Sequence, residues 1–166
     1  MNNLNKNIVL IGMPGCGKTT VGTELSKRLD IPFCDIDEYI VTNEGKSIPE
    51  IFEKGEEYFR QIETRAVAEV SDTYPQIIST GGGVVKKTVN IEILKKNGVI
   101  FFINRALEDI ANDVDIKTRP LLKDGTERLY ELFKEREALY KNYCHYEVDN
   151  KSLEECLKKI IAIIGY

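Results

Sequence analysis

The segment Gly12-Met-Pro-Gly-Cys-Gly17-Lys18-Thr19 fits G-x-x-x-x-G-K-[ST], a spacing suited to gripping polyphosphate. Glycines let backbone N–H groups curl round phosphate oxygens with no Cβ in the way. The start of the following helix adds unpaired N–H groups and the positive end of its dipole. Lys18 supplies a point charge between β- and γ-phosphates, and the Thr19 hydroxyl can ligate Mg²⁺. Gly12, Gly15, Cys16, Gly17 and Thr20 complete the expected nucleoside triphosphate contacts. Further along, Phe33-Cys-Asp35-Ile-Asp37 presents two acids at i and i+2. Such a pair is expected to leave a strand on one side, at its carboxyl end, where parallel sheets bind ligands. One acid could order a Mg²⁺ water, and the other could orient or deprotonate an acceptor hydroxyl. The plain alternative for the pair is helix capping ahead of Ile40 and Val41.

These residues need elements to hold them. Asn7 to Ile11 reads as a buried strand before the glycine loop, and the helix after it runs through Leu29 with Val21 and Leu25 on its apolar face. Phe33 to Asp35 is a short strand. Ser47-Ile-Pro-Glu50 is a capping box with proline just inside, so a helix begins near Ile48. Phe59, Ile62, Ala66, Val67 and Val70 recur at helical spacing over about Glu56 to Ser71. Ile77 to Ser79 is a strand ending in Gly81-Gly82-Gly83. Thr88 to Lys96 is helical with Gly98 as its stop signal, Val99 to Ile103 is an apolar strand, and Leu107 to Asn112 is a helix. A polar loop, Val114 to Asp124, leads to a helix from about Thr126 to Asn142 with Leu129, Leu132, Phe133 and Tyr140 on one face. Tyr146 to Asp149 is a last strand, and Ser152-Leu-Glu-Glu155 a second capping box. Strands alternating with helices, several of them wholly apolar, indicate an α/β protein with a parallel sheet covered on both faces.

Composition narrows the functional classes. The chain has 166 residues, 42% hydrophobic and 30% charged, which is one ordinary soluble domain over 1–166. No apolar run approaches the roughly 20 residues of a membrane span. Met1 to Asn7 lack the apolar stretch of an export signal, so a cytoplasmic protein is expected. The net charge of −4 argues against a nucleic-acid-binding face while allowing a small basic pocket for one anion. The four cysteines and the lone His145 show no metal-ligand spacing. Cys16 reads as a small buried residue rather than a redox sensor, and Tyr140, Tyr143 and Tyr146 as packing and edge residues. A Cys144–His145 nucleophile pair is disfavoured because adjacent residues rarely face each other.

Six blocks in order make the chain resemble shikimate kinases from about Ile8 to Asp149. They are the phosphate loop, Asp35/Asp37, Gly55-Glu-Glu-Tyr-Phe-Arg60-Gln-Ile-Glu63, Ser79-Thr-Gly-Gly-Gly83, Thr118-Arg119-Pro-Leu-Leu122 and Arg136-Glu-Ala-Leu-Tyr140. The resemblance implies a three-layer P-loop fold with a five-stranded parallel sheet arranged as in nucleoside monophosphate kinases. It also implies a substrate-binding subregion over 37–71 and a mobile lid over 114–124. The implied reaction takes ATP and shikimate to ADP and shikimate 3-phosphate with Mg²⁺, on the route to chorismate and the aromatic amino acids.

By the same resemblance, Arg60 and Arg136 clamp the substrate carboxylate, which the guanidinium fork suits. Gly81, Gly82 and Gly83 approach the substrate, with Gly82 the family's contact. Arg119 closes over ATP and steadies the transferred phosphoryl group. Asp37 meets the accepting hydroxyl, as base or as aligning group, while Thr19 and Asp35 attend Mg²⁺, Asp35 through water. Without the resemblance, Arg60 would read as a solvated partner of Glu56 or Glu63, and Arg136 as a partner of Glu135 or Glu137.

The sequence departs from the family at Asn112, where many members stack an arginine on adenine, and at the short Asn150-Lys151 segment. The rival readings are another small-molecule kinase of this fold, for gluconate or a nucleoside monophosphate, and a non-catalytic nucleotide switch. Expected partners are the two small molecules, with no nucleic acid and no membrane, acting on a monomer.

Overall fold

The computed structural model describes residues 4–113 and 125–165. Five strands form one sheet: β1 (Asn7–Ile11), β2 (Phe33–Asp35), β3 (Ile77–Ser79), β4 (Gly98–Asn104) and β5 (Tyr146–Asp149). Their order is β2-β3-β1-β4-β5, every neighbouring pair is parallel, and the expected five-stranded α/β architecture is present. Between the strands run α1 (Lys18–Leu29), α2 (Ile36–Glu44), α3 (Ile48–Phe52), α4 (Glu56–Ser71), α5 (Thr88–Asn97), α6 (Leu107–Asp113) and α7 (Thr126–Tyr143); α8 (Leu153–Ile164) follows β5. Among the described residues no helix is long and apolar enough to cross a membrane.

The topology places the site. β1 lies between β3 and β4, with Leu10 opposite both Ser79 and Phe101. The loops leaving the carboxyl ends of β1 and β3 therefore emerge side by side, at the position where open α/β sheets bind ligands. All five residues of β1 and all three of β3 are buried, which is why they carry no alternating polar side chains. Beneath them Leu10, Ile11, Phe101 and Phe102 join one continuous core with Val21, Leu25 and Ile36. Each such side chain contributes roughly 1.5–3 kcal/mol by leaving water.

Local chemistry sets the element ends. Ser47 and Glu50 form the reciprocal capping box expected at α3, with Pro49 in its first turn. At α8 only half of that arrangement is present: Ser152 accepts from the Glu155 N–H at 3.4 Å. Gly98 opens β4 rather than merely ending α5, because its missing Cβ would lie 2.7 Å from the Leu94 carbonyl and 2.9 Å from Val9. A short 3-10 turn over Val84–Lys86, not expected from the sequence, follows the triple glycine and seats Val84 and Val85 in the core.

Candidate active site

A cleft of about 540 Å³ opens at the carboxyl ends of the strands. One end is the phosphate loop between β1 and α1. Lys18 is only 8% exposed, and its ammonium donates to the carbonyls of Gly12 at 2.8 Å and Met13 at 2.9 Å. Gly17 takes φ +99°, and a Cβ there would meet the Asn150 amide nitrogen at 2.5 Å. That amide in turn donates to the Cys16 carbonyl at 2.9 Å, so the short segment after β5 pins the loop from behind. Arg105, just past β4, donates to the Gly15 carbonyl at 3.1 Å and pairs with Asp113. Gly12 and Cys16 lie behind the cleft wall rather than on it. Cys16 is buried, and its N–H already donates to the Met13 carbonyl at 3.1 Å.

Thr19, Thr20, Asp35 and Asp37 line the cleft next to the loop. The Thr19 hydroxyl donates to Asp35 at 3.0 Å, and the other Asp35 oxygen accepts from the Glu38 N–H at 3.1 Å. The two acids do not both leave one strand as the spacing suggested. Asp35 ends β2 and caps α2, whereas Asp37 lies in the first turn of that helix. A helical turn, rather than strand alternation, brings the two carboxylates into the same cleft.

The other end is built by α4, α7 and the glycine turn. Arg60 is nearly inaccessible. It donates from Nη1 to Glu63 at 2.8 Å, and from Nε and Nη2 to Glu56 at 3.3 and 3.2 Å. Its partners are those of the solvated-helix reading, but Arg60 and Glu63 are buried while Glu56 stays partly exposed; Gly83 makes the room, since a Cβ there would be 2.2 Å from Nη2. Gly81 makes similar room. A Cβ there would lie 3.1 Å from an oxygen of Asp37 and 3.1 Å from one of Glu63. Burial raises the Glu63 carboxyl to about 7; Arg60 opposes the shift, Asp37 adds to it, and Arg136 opposes it further.

Arg136 is 1% exposed, and neither its Nε nor its two terminal nitrogens has a hydrogen-bond acceptor among the described residues. The surface-pair reading fails for it, because Glu135 instead meets Lys86 at 3.6 Å and Glu137 meets Lys141 at 2.9 Å. A buried guanidinium without an acceptor is costly to the fold, and an anion is the ligand that would offset the cost. Ile48 and the stacked pair Phe52–Phe59, with ring centroids 4.6 Å apart, add an apolar wall. Two guanidiniums, two carboxylates and an apolar wall suit a small cyclic acid bearing hydroxyls.

Most residues singled out from sequence therefore converge here: Gly15, Gly17, Lys18, Thr19, Thr20 and Asp35 at the phosphate end, and Asp37, Arg60, Arg136 and the three glycines opposite. Arg119 and the lid expected over 114–124 lie outside the described residues. The sequence reading gave Glu63 only as a partner of Arg60 and Tyr140 only as a packing residue, and it did not single out Arg105; the Tyr140 hydroxyl also donates to the Gly82 carbonyl. A signal for Glu63 existed, since it stands four residues from Phe59 and from Val67, on the buried stripe of α4. The Cys144–His145 pair is no catalytic couple, because His145 Nδ1 accepts the Ile100 N–H at 2.9 Å.

The shikimate kinase family model matches residues 14–164. A shikimate kinase of Clostridium botulinum (strain Alaska E43 / Type E3) is 47% identical over 162 residues, covering 97% of this chain and 98% of that protein. Another, from Clostridium botulinum (strain Eklund 17B / Type B), is 48% identical with the same coverage. Among solved structures, a shikimate kinase from Acinetobacter baumannii in complex with shikimate superposes with a TM-score of 0.91 at 34% identity, covering 96% of this chain and 92% of that one. The match of the family model over most of the chain, together with these relatives, shows that the chain belongs to the shikimate kinase family.

Proposed function

We propose that this cleft transfers the terminal phosphoryl group of ATP to the 3-hydroxyl of shikimate, with the phosphate loop gripping the nucleotide and the α4–α7 end seating the acid. The observation that carries the reading is Arg136, a buried cation with no acceptor among the described residues, in one cleft with Lys18 and Asp37. Its charge calls for an anion at the end of the cleft away from the nucleotide's own site. Arg60, held by Glu56 and Glu63, supports the second side of a carboxylate, and the Gly82 and Gly83 N–H groups add donors.

On binding, Lys18 exchanges the Gly12 and Met13 carbonyls for phosphate oxygens, a movement of one flexible side chain. Asp37 holds the accepting hydroxyl in line and takes its proton as the bond to phosphorus forms and the bond to the leaving ADP oxygen breaks. A loose transition state asks for alignment more than for base strength. The Thr19 hydroxyl and the Asp35 carboxylate, 3.0 Å apart, fit Mg²⁺, which keeps most of its water and takes few protein ligands. When bound, Mg²⁺ supplies positive charge at the β- and γ-phosphate oxygens. Arg119 is assigned the charge developing on the transferred group, the subregion over 37–71 the acid, and 114–124 the lid. The reaction is assigned to a cytoplasmic monomer.

A coupled ADP-release assay over a panel of acceptors tests this reading. Turnover with shikimate, and none with gluconate or nucleoside monophosphates, is the expected result. The opposite pattern would overturn it.

A further inference from the structure

Tyr140 sits on α7 one turn beyond Arg136 and is wholly buried. Its ring stacks on Phe102 of β4, with centroids 5.2 Å apart and planes inclined by 22°. The core thus fixes where the phenol ends. Its hydroxyl donates to the Gly82 carbonyl, which reaches across from the turn after β3. Burial pushes the phenol's ionisation well above the usual tyrosine range, against the pull of the nearby Arg136 guanidinium, so the group stays a donor at any working pH.

A trans peptide points its N–H opposite to its C=O. Fixing the Gly82 carbonyl on Tyr140 therefore fixes the plane of the Gly82–Gly83 peptide and the direction of the Gly83 N–H. The turn needs such a tie. Three successive glycines have the widest conformational freedom of any tripeptide, and ordering them is costly. Val84 donates to the Gly81 carbonyl at 3.1 Å, which closes the turn but leaves its central carbonyl unspoken for. On the opposite side Gly82 lies against Pro14 of the phosphate loop, where a Cβ would be 2.8 Å from the ring. The N–H groups of Gly82 and Gly83 have no acceptor among the described residues, and both residues line the cleft.

We infer that Tyr140 is a positioning residue for the acid: its hydroxyl locks the glycine turn to α7, so that the Gly83 N–H and the Arg136 guanidinium are held in register as a single carboxylate receptor. This rests on the reading of that end of the cleft as the carboxylate seat. The consequence is specific. Removing one oxygen atom at Tyr140 weakens recognition of the carboxylate, not of the ring hydroxyls and not of ATP.

The test is Tyr140→Phe, which keeps the stacked ring. Binding of shikimate and of its neutral carboxamide is measured by calorimetry, beside kcat and KM for both substrates. The expected result is a KM and Kd for shikimate raised about 5- to 10-fold, which at about 1.4 kcal/mol per tenfold is roughly 1–1.4 kcal/mol, within the range of one hydrogen bond. KM for ATP should stay within twofold, kcat within about threefold, and Kd for the carboxamide should not change. Equal weakening of acid and carboxamide, or no weakening of either, overturns the inference. Failure of the seat itself is distinguishable, because wild-type protein would then bind acid and amide alike. Phe102→Leu serves as the packing control: it loosens the ring's support while keeping the hydroxyl, and should lower Tm while leaving the acid-to-amide ratio within twofold. A collapse of that ratio there would assign the effect to packing and overturn the inference. If Tyr140→Phe does not fold, wild-type NMR decides. The Gly83 amide proton should shift markedly further with shikimate than with the carboxamide, and the reverse or no difference refutes the receptor.

Discussion

Glu63 provides a quantitative test of how the acid seat is charged. It is completely buried between Arg60, Asp37 and Arg136, and its carboxyl is raised from an ordinary 4.5 to about 7. The sign follows from linkage. Between those two values the folded chain keeps a proton at Glu63 that the unfolded chain has released, so stability falls as pH rises through this window and levels off above about 7. At 1.36 kcal/mol per pH unit the window amounts to about 3 kcal/mol. Glu63→Gln keeps an acceptor for Arg60 and cannot titrate. Urea unfolding of both proteins at intervals from pH 4.5 to 8 should show the wild type losing about 3 kcal/mol relative to the variant. The slope of that difference matters rather than its level, because the amide also changes the pairing with Arg60. Parallel stability profiles would refute the assignment and mean that Arg60 holds Glu63 ionised throughout. The same proton affects binding. Below pH 7 Glu63 is neutral and the seat has more positive charge for an anion, so KM for shikimate should rise above pH 7 in the wild type and much less in Glu63→Gln.

Arg136→Leu should abolish tight shikimate binding, raising Kd at least 100-fold, yet raise the unfolding free energy of the ligand-free chain, since an unpaired buried cation gives way to an apolar side chain; equal or lower stability in chemical denaturation would count against Arg136 as a cation held ready for a ligand. Arg60→Lys should raise KM for shikimate about tenfold or more, because a point charge cannot serve Glu56, Glu63 and a carboxylate as the fork does; an unchanged KM removes Arg60 from the seat. Asp37→Asn should keep nucleotide affinity, read by fluorescent-nucleotide displacement, while losing at least 100-fold in kcat; near-normal turnover removes Asp37 from the mechanism.

The fold was legible where a local rule and the tertiary structure agree. The apolar runs of β1 and β4, the Ser47 capping box and the helical stripe of α4 each specify their element by themselves. The paired acids mislead, because period-two alternation and the first turn of a capped helix can place two carboxylates in the same cleft, and only the backbone distinguishes them. The 3-10 turn at Val84–Lys86 was invisible because its three residues repeat no period. The site's hidden members had a signal of another kind. Arg136 lies four residues from Leu132 and from Tyr140, on the apolar face of α7. Glu63 likewise interrupts the apolar face of α4. A charged residue in register with a core stripe is a buried charge in waiting, and its spacing alone argues against the surface ion pair that a nearby opposite charge suggests.

Those two interruptions explain each other. Arg60 commits its Nε, one Nη1 and one Nη2 donor to Glu56 and Glu63, which fixes its fork and offsets much of its charge within the protein while leaving donors for a ligand. Arg136 is left without an acceptor, at the expense of stability. A seat made of two arginines each paired with its own carboxylates would be rigid and nearly neutral, with little attraction for a carboxylate. Two unpaired ones would burden the fold with twice the desolvation penalty and leave both forks unaligned. One arginine of each kind gives a fixed edge and an unmet charge, and the proton on Glu63 sets how strongly the fixed edge's own counter-ion competes with the ligand. Affinity for the acid is therefore governed less by either guanidinium alone than by the asymmetry between them.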